Sequence, residues 1–178
     1  MTHHHHHAPG EFLPLAIAVL TVSDSRTAAN DQSGELLQNK IINAGHCLAA
    51  RTQSTDDIYQ LRALLSTWIA EKSVQVIITT GGTGVTGRDR TPEAVLPLLD
   101  KALTGFGELF RQLSFAHIGT ATIQSRALAG IANGTLIFSL PGSPAACQLA
   151  WDDILAAQLD RRTSPCNFVQ LLPRLLEQ

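Results

Sequence analysis

The sequence predicts an α/β fold of three layers, with a mostly parallel central sheet and helices on both faces. Short apolar runs recur at residues 15–22, 74–78 and 135–140, the length and composition of strands buried on both faces. Between them lie stretches with apolar residues at helical spacing, and this alternation selects a parallel sheet. Each run also ends in a polar or glycine-rich cluster. In an open α/β sheet the carboxyl ends of the strands share one edge, where ligands bind.

Taken in order, Leu15 to Val22 is the first strand and leads into Ser23-Asp24-Ser25-Arg26. Asp31 or Ser33 caps a helix that runs through Asn43, with Leu36, Leu37, Ile41 and Ala44 on its apolar face and Gly45 after its end. His46 to Gln53 is a weaker strand. Ser54 with Asp57 has capping-box spacing before a helix whose buried stripe is Ile58, Leu61, Leu64, Leu65, Trp68 and Ile69. After the strand at Val74, Thr91-Pro92-Glu93 reads as N-cap, N1 and first-turn acid. Two short helices are expected at 91–101 and 105–112, and 113–133 reads as irregular with short elements. The strand at Thr135–Leu140 turns at Pro141-Gly142-Ser143-Pro144 into a last helix to about Asp160, with Leu149, Ile154, Leu155 and Leu159 inward.

Composition bounds the function. The chain has 178 residues, 44% hydrophobic and 16% charged, which suits a packed core. A net charge of −2 gives no electrostatic footprint for nucleic acid, and no apolar run is long enough to span a membrane. The start lacks a signal-peptide pattern. Cys47, Cys147 and Cys166 have no C-x-x-C spacing and read as reduced core or subsurface thiols of a cytoplasmic protein. Residues 1–10, with His3 to His7, read as an expression tag, with a native metal-binding tail as the rival reading, and 11–178 as one domain without linker or repeat. Only His46 and His117 lie outside the tag, too few for a histidine-built metal site within one chain.

The stretch Thr79 to Ala94 organises the rest. Four glycines, at 81, 82, 84 and 87, sit between a strand and a helix start. Glycine there lets backbone N–H groups approach a phosphate. Arg88, Asp89 and Arg90 add cations and a hard oxygen ligand. The P-loop and the dinucleotide fingerprint are both absent, which argues against a nicotinamide-dependent dehydrogenase.

From Thr80 to Ala94 the chain resembles the MoaB/MogA family of molybdenum cofactor biosynthesis proteins, whose pattern reads roughly T-G-G-T-G-x-x-x-R-D-x-T-P-E-A. The resemblance extends to Ser23-Asp24, Asp31-Gln32-Ser33-Gly34, Gly105-Phe106-Gly107-Glu108 with Arg111, Ser125-Arg126, and Pro141 to Pro144. The ending Ser164-Pro165-Cys166-Asn167-Phe168 is similar to the MoaB branch. There are departures: Arg26 is displaced by one place, Gln124 stands where the family has leucine, and Asp56-Asp57 lacks the family's preceding proline.

The resemblance implies a Mg²⁺-dependent adenylylation of molybdopterin by ATP that releases pyrophosphate. The alternative is a non-catalytic, MoaB-type binder of molybdopterin or a nucleotide. Asp89 and Asp56 would serve catalysis and hold Mg²⁺, although Asp56 and Asp57 also suit a helix N-terminus. Substrate contacts would come from Ser23, Asp24, Gly81, Gly82, Thr83, Gly84, Arg88 and Thr91. Further contacts would come from Glu108, Ser125, Arg126, Pro141, Gly142 and Ser143, with a surface Glu108–Arg111 pair as the bland alternative for Glu108. The family also implies a homo-oligomer, trimer or hexamer, and a MoeA-like insertase as partner.

Overall fold

The computed structural model describes residues 10–25 and 29–177. Of residues 1–10, expected as a tag, all but Gly10 lie outside the described residues, as does Arg26. The described residues build one six-stranded sheet in the order β2-β1-β3-β6-β5-β4. Its strands are β1 Ala16–Val22, β2 Cys47–Ser54, β3 Val76–Thr80, β4 Lys101–Ala102, β5 Leu128–Ala132 and β6 Thr135–Leu140. The β2, β1, β3 and β6 strands run parallel, whereas β5 pairs antiparallel with both β6 and β4.

Alternation along the strands feeds two cores. Ile17, Val19, Val76, Ile78, Leu136 and Phe138 face one layer, made of α1 (Gln32–Asn43), α4 (Thr104–Ile118) and α5 (Pro144–Ala150). Ala18, Leu20, Ile77 and Ile137 face the other, made of α2 (Ile58–Ala70) and α3 (Thr91–Val95). A parallel strand sandwiched this way has no solvent face, which explains the near-continuous apolar runs. The last helix continues from α5 through a π turn at Trp151–Leu155 into α6 (Ala156–Gln158). The C-terminal α7 (Phe168–Leu171) docks Val169 into the first core.

Several local expectations are corrected. The cap of α2 is Asp57, whose Oδ1 accepts from the Tyr59 and Gln60 amides at 2.9 Å each, while Ser54 belongs to β2. Thr91 is the first residue of α3, not its cap, and its hydroxyl donates to the Gly81 carbonyl at 2.8 Å. The helix expected at 91–101 stops at Val95, because Pro97 lacks the N–H that an α-helix needs and tightens the turn to Leu96–Leu98. The region read as irregular holds the end of α4, a 3₁₀ turn at Gly119–Gln124 and β5. The α4 helix buries only Phe106, Gly107, Phe110 and Ser114, while Phe115 and Ile118 stay exposed, so its apolar period is blurred. Ala44 is exposed, as are Cys47 and Cys166; only Cys147 is buried.

One ion pair with a buried carboxylate anchors α1 to the sheet. The Asp31 side chain is fully buried and accepts from the Thr21 hydroxyl at 2.8 Å, the Gly34 amide at 2.9 Å and Arg51 Nη2 at 3.0 Å. Burial alone would raise its pKa, but the Gly34 amide, the Thr21 hydroxyl and Arg51 together hold it below 3.8. A carboxylate lowered on folding stabilises the fold above its ordinary pKa, and that stability is lost as pH falls through the folded value. Asp31→Ala should therefore cost about 3 kcal/mol at neutral pH, read as a lower urea midpoint. It should also flatten the acid limb of a stability–pH curve, and an unchanged limb would deny Asp31 this role.

Candidate functional site

The strand order reverses between β1 and β3, so the carboxyl ends of β1, β3 and β6 meet at one edge. Gly81 sits at that meeting point with φ +106, and a Cβ there would lie 2.1 Å from the Val22 carbonyl oxygen. Its amide donates to the Leu140 carbonyl at 3.0 Å. Gly82 follows with φ +65, its carbonyl accepting from the Thr91 amide at 3.0 Å. Thr91 thus ties both glycine carbonyls to the start of α3.

The turn after β6 is fixed by side chains from two neighbours. Thr80 Oγ1 donates to the Pro141 carbonyl at 3.0 Å and Ser33 Oγ to the Gly142 carbonyl at 2.7 Å. Ser143 caps α5, accepting from the Ala146 amide at 3.2 Å.

These segments enclose a cleft of about 510 Å³. Of the residues expected at the site, Ser23, Gly81, Gly82, Thr83, Gly84, Asp89, Ser125, Pro141, Gly142 and Ser143 line it. Asp24, Asp56, Arg88, Thr91, Glu108 and Arg126 do not. Glu108 is exposed on α4, and the Arg88 side chain is 85% exposed, with Nη1 3.9 Å from Asp24 Oδ2. The sequence reading missed the opposite wall, where Phe110, Ser114 and Ile118 of α4 stand with Gln124. Their spacing of four continues from Phe106 of the quoted Gly-Phe-Gly-Glu segment and was the available signal.

The loop after Gly82 is closed by its own side chains. Asp89 Oδ2 accepts from the Thr86 amide at 2.9 Å and the Thr86 hydroxyl at 2.6 Å. Asp89 also lines a second cleft of about 470 Å³, on the side of Val85, Arg90 and Glu93, so it stands between two openings. Arg126 braces the loop from outside: Nε donates to the Gly84 carbonyl and Nη2 to the Asp89 carbonyl, both at 2.6 Å, and Nη1 pairs with Glu93.

Two acids differ in their surroundings. Burial would raise the pKa of Asp89, but hydrogen bonds from Thr86 and the Gly84 amide, with the charge of Arg126, outweigh it and hold the carboxyl below 3.8. Asp56 is the reverse case. Burial pushes it up to about 6; the Arg90 amide opposes this, and the charges of Asp89 and Asp24 add to it. Its amide donates to Asp24 Oδ1 at 3.0 Å and its Oδ1 accepts from the Arg90 amide at 3.1 Å. Among the described residues no three His, Cys, Asp or Glu side chains converge as a metal cage. A Mg²⁺ ion needs only one or two carboxylates when phosphates and waters complete its shell; Asp89 lines the cleft, and Asp56, outside it, lies close enough to sense the charge of Asp89.

Residues 18–161 match the family model described as a probable molybdopterin binding domain. The chain is 53% identical over 158 residues to molybdenum cofactor biosynthesis protein B of Escherichia coli (strain K12), covering 89% of this chain and 93% of that one. It superposes on a crystal structure of molybdenum cofactor biosynthesis protein B with a TM-score of 0.80 at 38% identity, covering 86% and 94% of the two chains. The tungsten cofactor synthesizing protein MoaB from Pyrococcus furiosus gives a TM-score of 0.70 at 36% identity, with 80% and 91% covered.

The electrostatics are open to direct measurement. Carbon-detected NMR should show the Asp56 carboxyl titrating near the value of about 6 set by its surroundings. Asp89→Asn removes a like charge and should lower that midpoint. A midpoint indifferent to Asp89 would mean that the two carboxylates do not sense one another.

Proposed function

The chain belongs to the MoaB/MogA family of molybdenum cofactor biosynthesis proteins, and from that premise we propose that it adenylylates molybdopterin with MgATP. The observation that carries the reading is the cleft in which the glycine loop, Asp89 and the turn after β6 converge. Membership supports a place in molybdenum cofactor biosynthesis; the reaction itself is our reading.

In that reaction a terminal phosphate oxygen of the pterin forms a bond to the α-phosphorus of ATP. The bond from that phosphorus to the β-phosphate oxygen breaks, and pyrophosphate leaves. Such transfer asks the protein for alignment and charge stabilisation more than for covalent help. Backbone N–H groups of Gly82 to Gly84 and the hydroxyls of Ser23 and Ser125, all lining the cleft, would hold phosphate oxygens. Phe110 and Ile118 supply an apolar wall suited to a flat heterocycle. Asp56 and Asp89 would hold Mg²⁺, which neutralises charge developing on the phosphates when bound. We also propose that residues 11–178 act as one domain, since one sheet serves both cores. Exposed Leu109, Phe115 and Ile123 support self-association.

A second reading is favoured by one feature: Asp89 already takes two hydrogen bonds from Thr86 in its own loop. A binder that holds pterin without turnover would use the carboxylate only to shape that loop.

Purified protein mixed with molybdopterin and ATP should yield adenylylated pterin and pyrophosphate only when Mg²⁺ is present. Asp89→Ala should lower turnover by roughly 10²–10³-fold. Because a raised carboxyl is ionised only above its pKa, activity that depends on Asp56 should fall as pH drops below about 6, and Asp56→Asn should abolish that limb. Pterin binding without product would select the second reading.

A further inference from the structure

We propose that Arg126 is a positioning residue that clamps the glycine loop and sets Asp89, rather than a contact to substrate phosphate. The inference rests on the adenylyl-transfer reading for its kinetic arm only.

Each guanidinium nitrogen of Arg126 is engaged. Nε reaches the Gly84 carbonyl and Nη2 the Asp89 carbonyl, so one planar fork bridges the two ends of the 84–89 turn. Nη1 pairs with Glu93 on α3. The Arg126 amide adds a 2.9 Å bond to the Thr83 carbonyl. A point charge such as Lys could satisfy one of these carbonyls but not the pair and the carboxylate together.

The clamp is itself held. Arg111 Nη1 of α4 donates to the Ala127 carbonyl at 3.2 Å, fixing the segment that carries Arg126. Arg62 Nη2 of α2 donates to the Glu93 carbonyl at 2.9 Å, fixing the acid at the other end. The loop is thus suspended between helices on opposite faces of the sheet. Asp89 is closed from inside by Thr86 and from outside by Arg126, and it lines both clefts. Loosening the outer bond moves the backbone that carries the carboxylate, while Ser23, the α4 wall and the turn after β6 are left in place.

The test compares wild type with Arg126→Lys, Arg126→Ala and Glu93→Gln, each checked for folding by its thermal melt. Amide hydrogen exchange of Thr83 to Asp89 is read without ligand. The clamp predicts exchange at least about tenfold faster in Arg126→Ala, with Arg126→Lys intermediate. In the transfer assay kcat should fall by about 10–10²-fold with KM for ATP and pterin within about threefold of wild type, and added guanidinium ion should restore part of the loss. A rise in KM with kcat preserved overturns the proposal and makes Arg126 a substrate contact. Unchanged exchange in both Arg126 variants also overturns it. The exchange measurement needs no turnover, so a wild-type chain inactive in the assay defeats the proposed reaction while the clamp is still judged by the loop.

Discussion

Everything at the functional edge depends on one close approach, that of Gly81 to the Val22 carbonyl oxygen. A Cβ at this position would be 2.1 Å from that oxygen, and φ is +106, so only glycine fits both the space and the backbone. The approach follows from topology. Where the strand order reverses, β1 and β3 are neighbours whose chains leave in different directions, and the first residue past β3 must pass across the end of β1. The amide of the same glycine donates to Leu140 of β6. Three strand ends are therefore pinned within one residue, and the cleft is the space their departing loops leave.

Placed on that pin, the loop is built from polar bonds of short and long range. Thr91 returns to Gly81 and Gly82, so the start of α3 and the end of β3 are held at one register. The buried Asp31 acts similarly one layer away: it binds Thr21 at the end of β1 and the first turn of α1, and its neighbour Ser33 reaches the Gly142 carbonyl. A chain of buried or half-buried hydrogen bonds thus runs from α1 to the turn after β6. Such a network fixes geometry because each member would be costly to leave unpaired.

How much of this was legible in the sequence follows the range of the interaction. Ser143-Pro144 was read correctly because a cap and an N1 proline act within four residues. The first strand and the glycine loop were legible for the same reason. Arg126 is different. Its bonds span 42 and 37 residues, and nothing near it in the sequence says that its fork faces carbonyls instead of solvent or ligand. Asp56 was ambiguous between a helix-terminal acid and a site residue. The structure gives the helix cap to Asp57 and turns Asp56 towards the Arg90 amide. The β5 strand went unread because it is a short, buried run of small residues around Gly130, without the β-branched density of β3 or β6.

The opposite treatment of two nearby acids constrains what the site can bind. Asp89 is lowered by donors of its own loop and carries its charge at any pH near neutrality. Asp56 is raised to about 6 by burial and by the charges of Asp89 and Asp24, so its surroundings oppose its ionised form. A cation placed between them would reverse the sign of that opposition, because it favours the charged form of both. By linkage, protons and cation then compete for Asp56, and cation affinity must weaken as pH falls through the Asp56 value. A neutral ligand would leave the Asp56 titration where the neighbouring acids put it. Under the proposed function the pair would therefore discriminate by charge, and that selectivity would come from the position of Asp56 beside Arg90 and Gly82 rather than from the glycine loop itself.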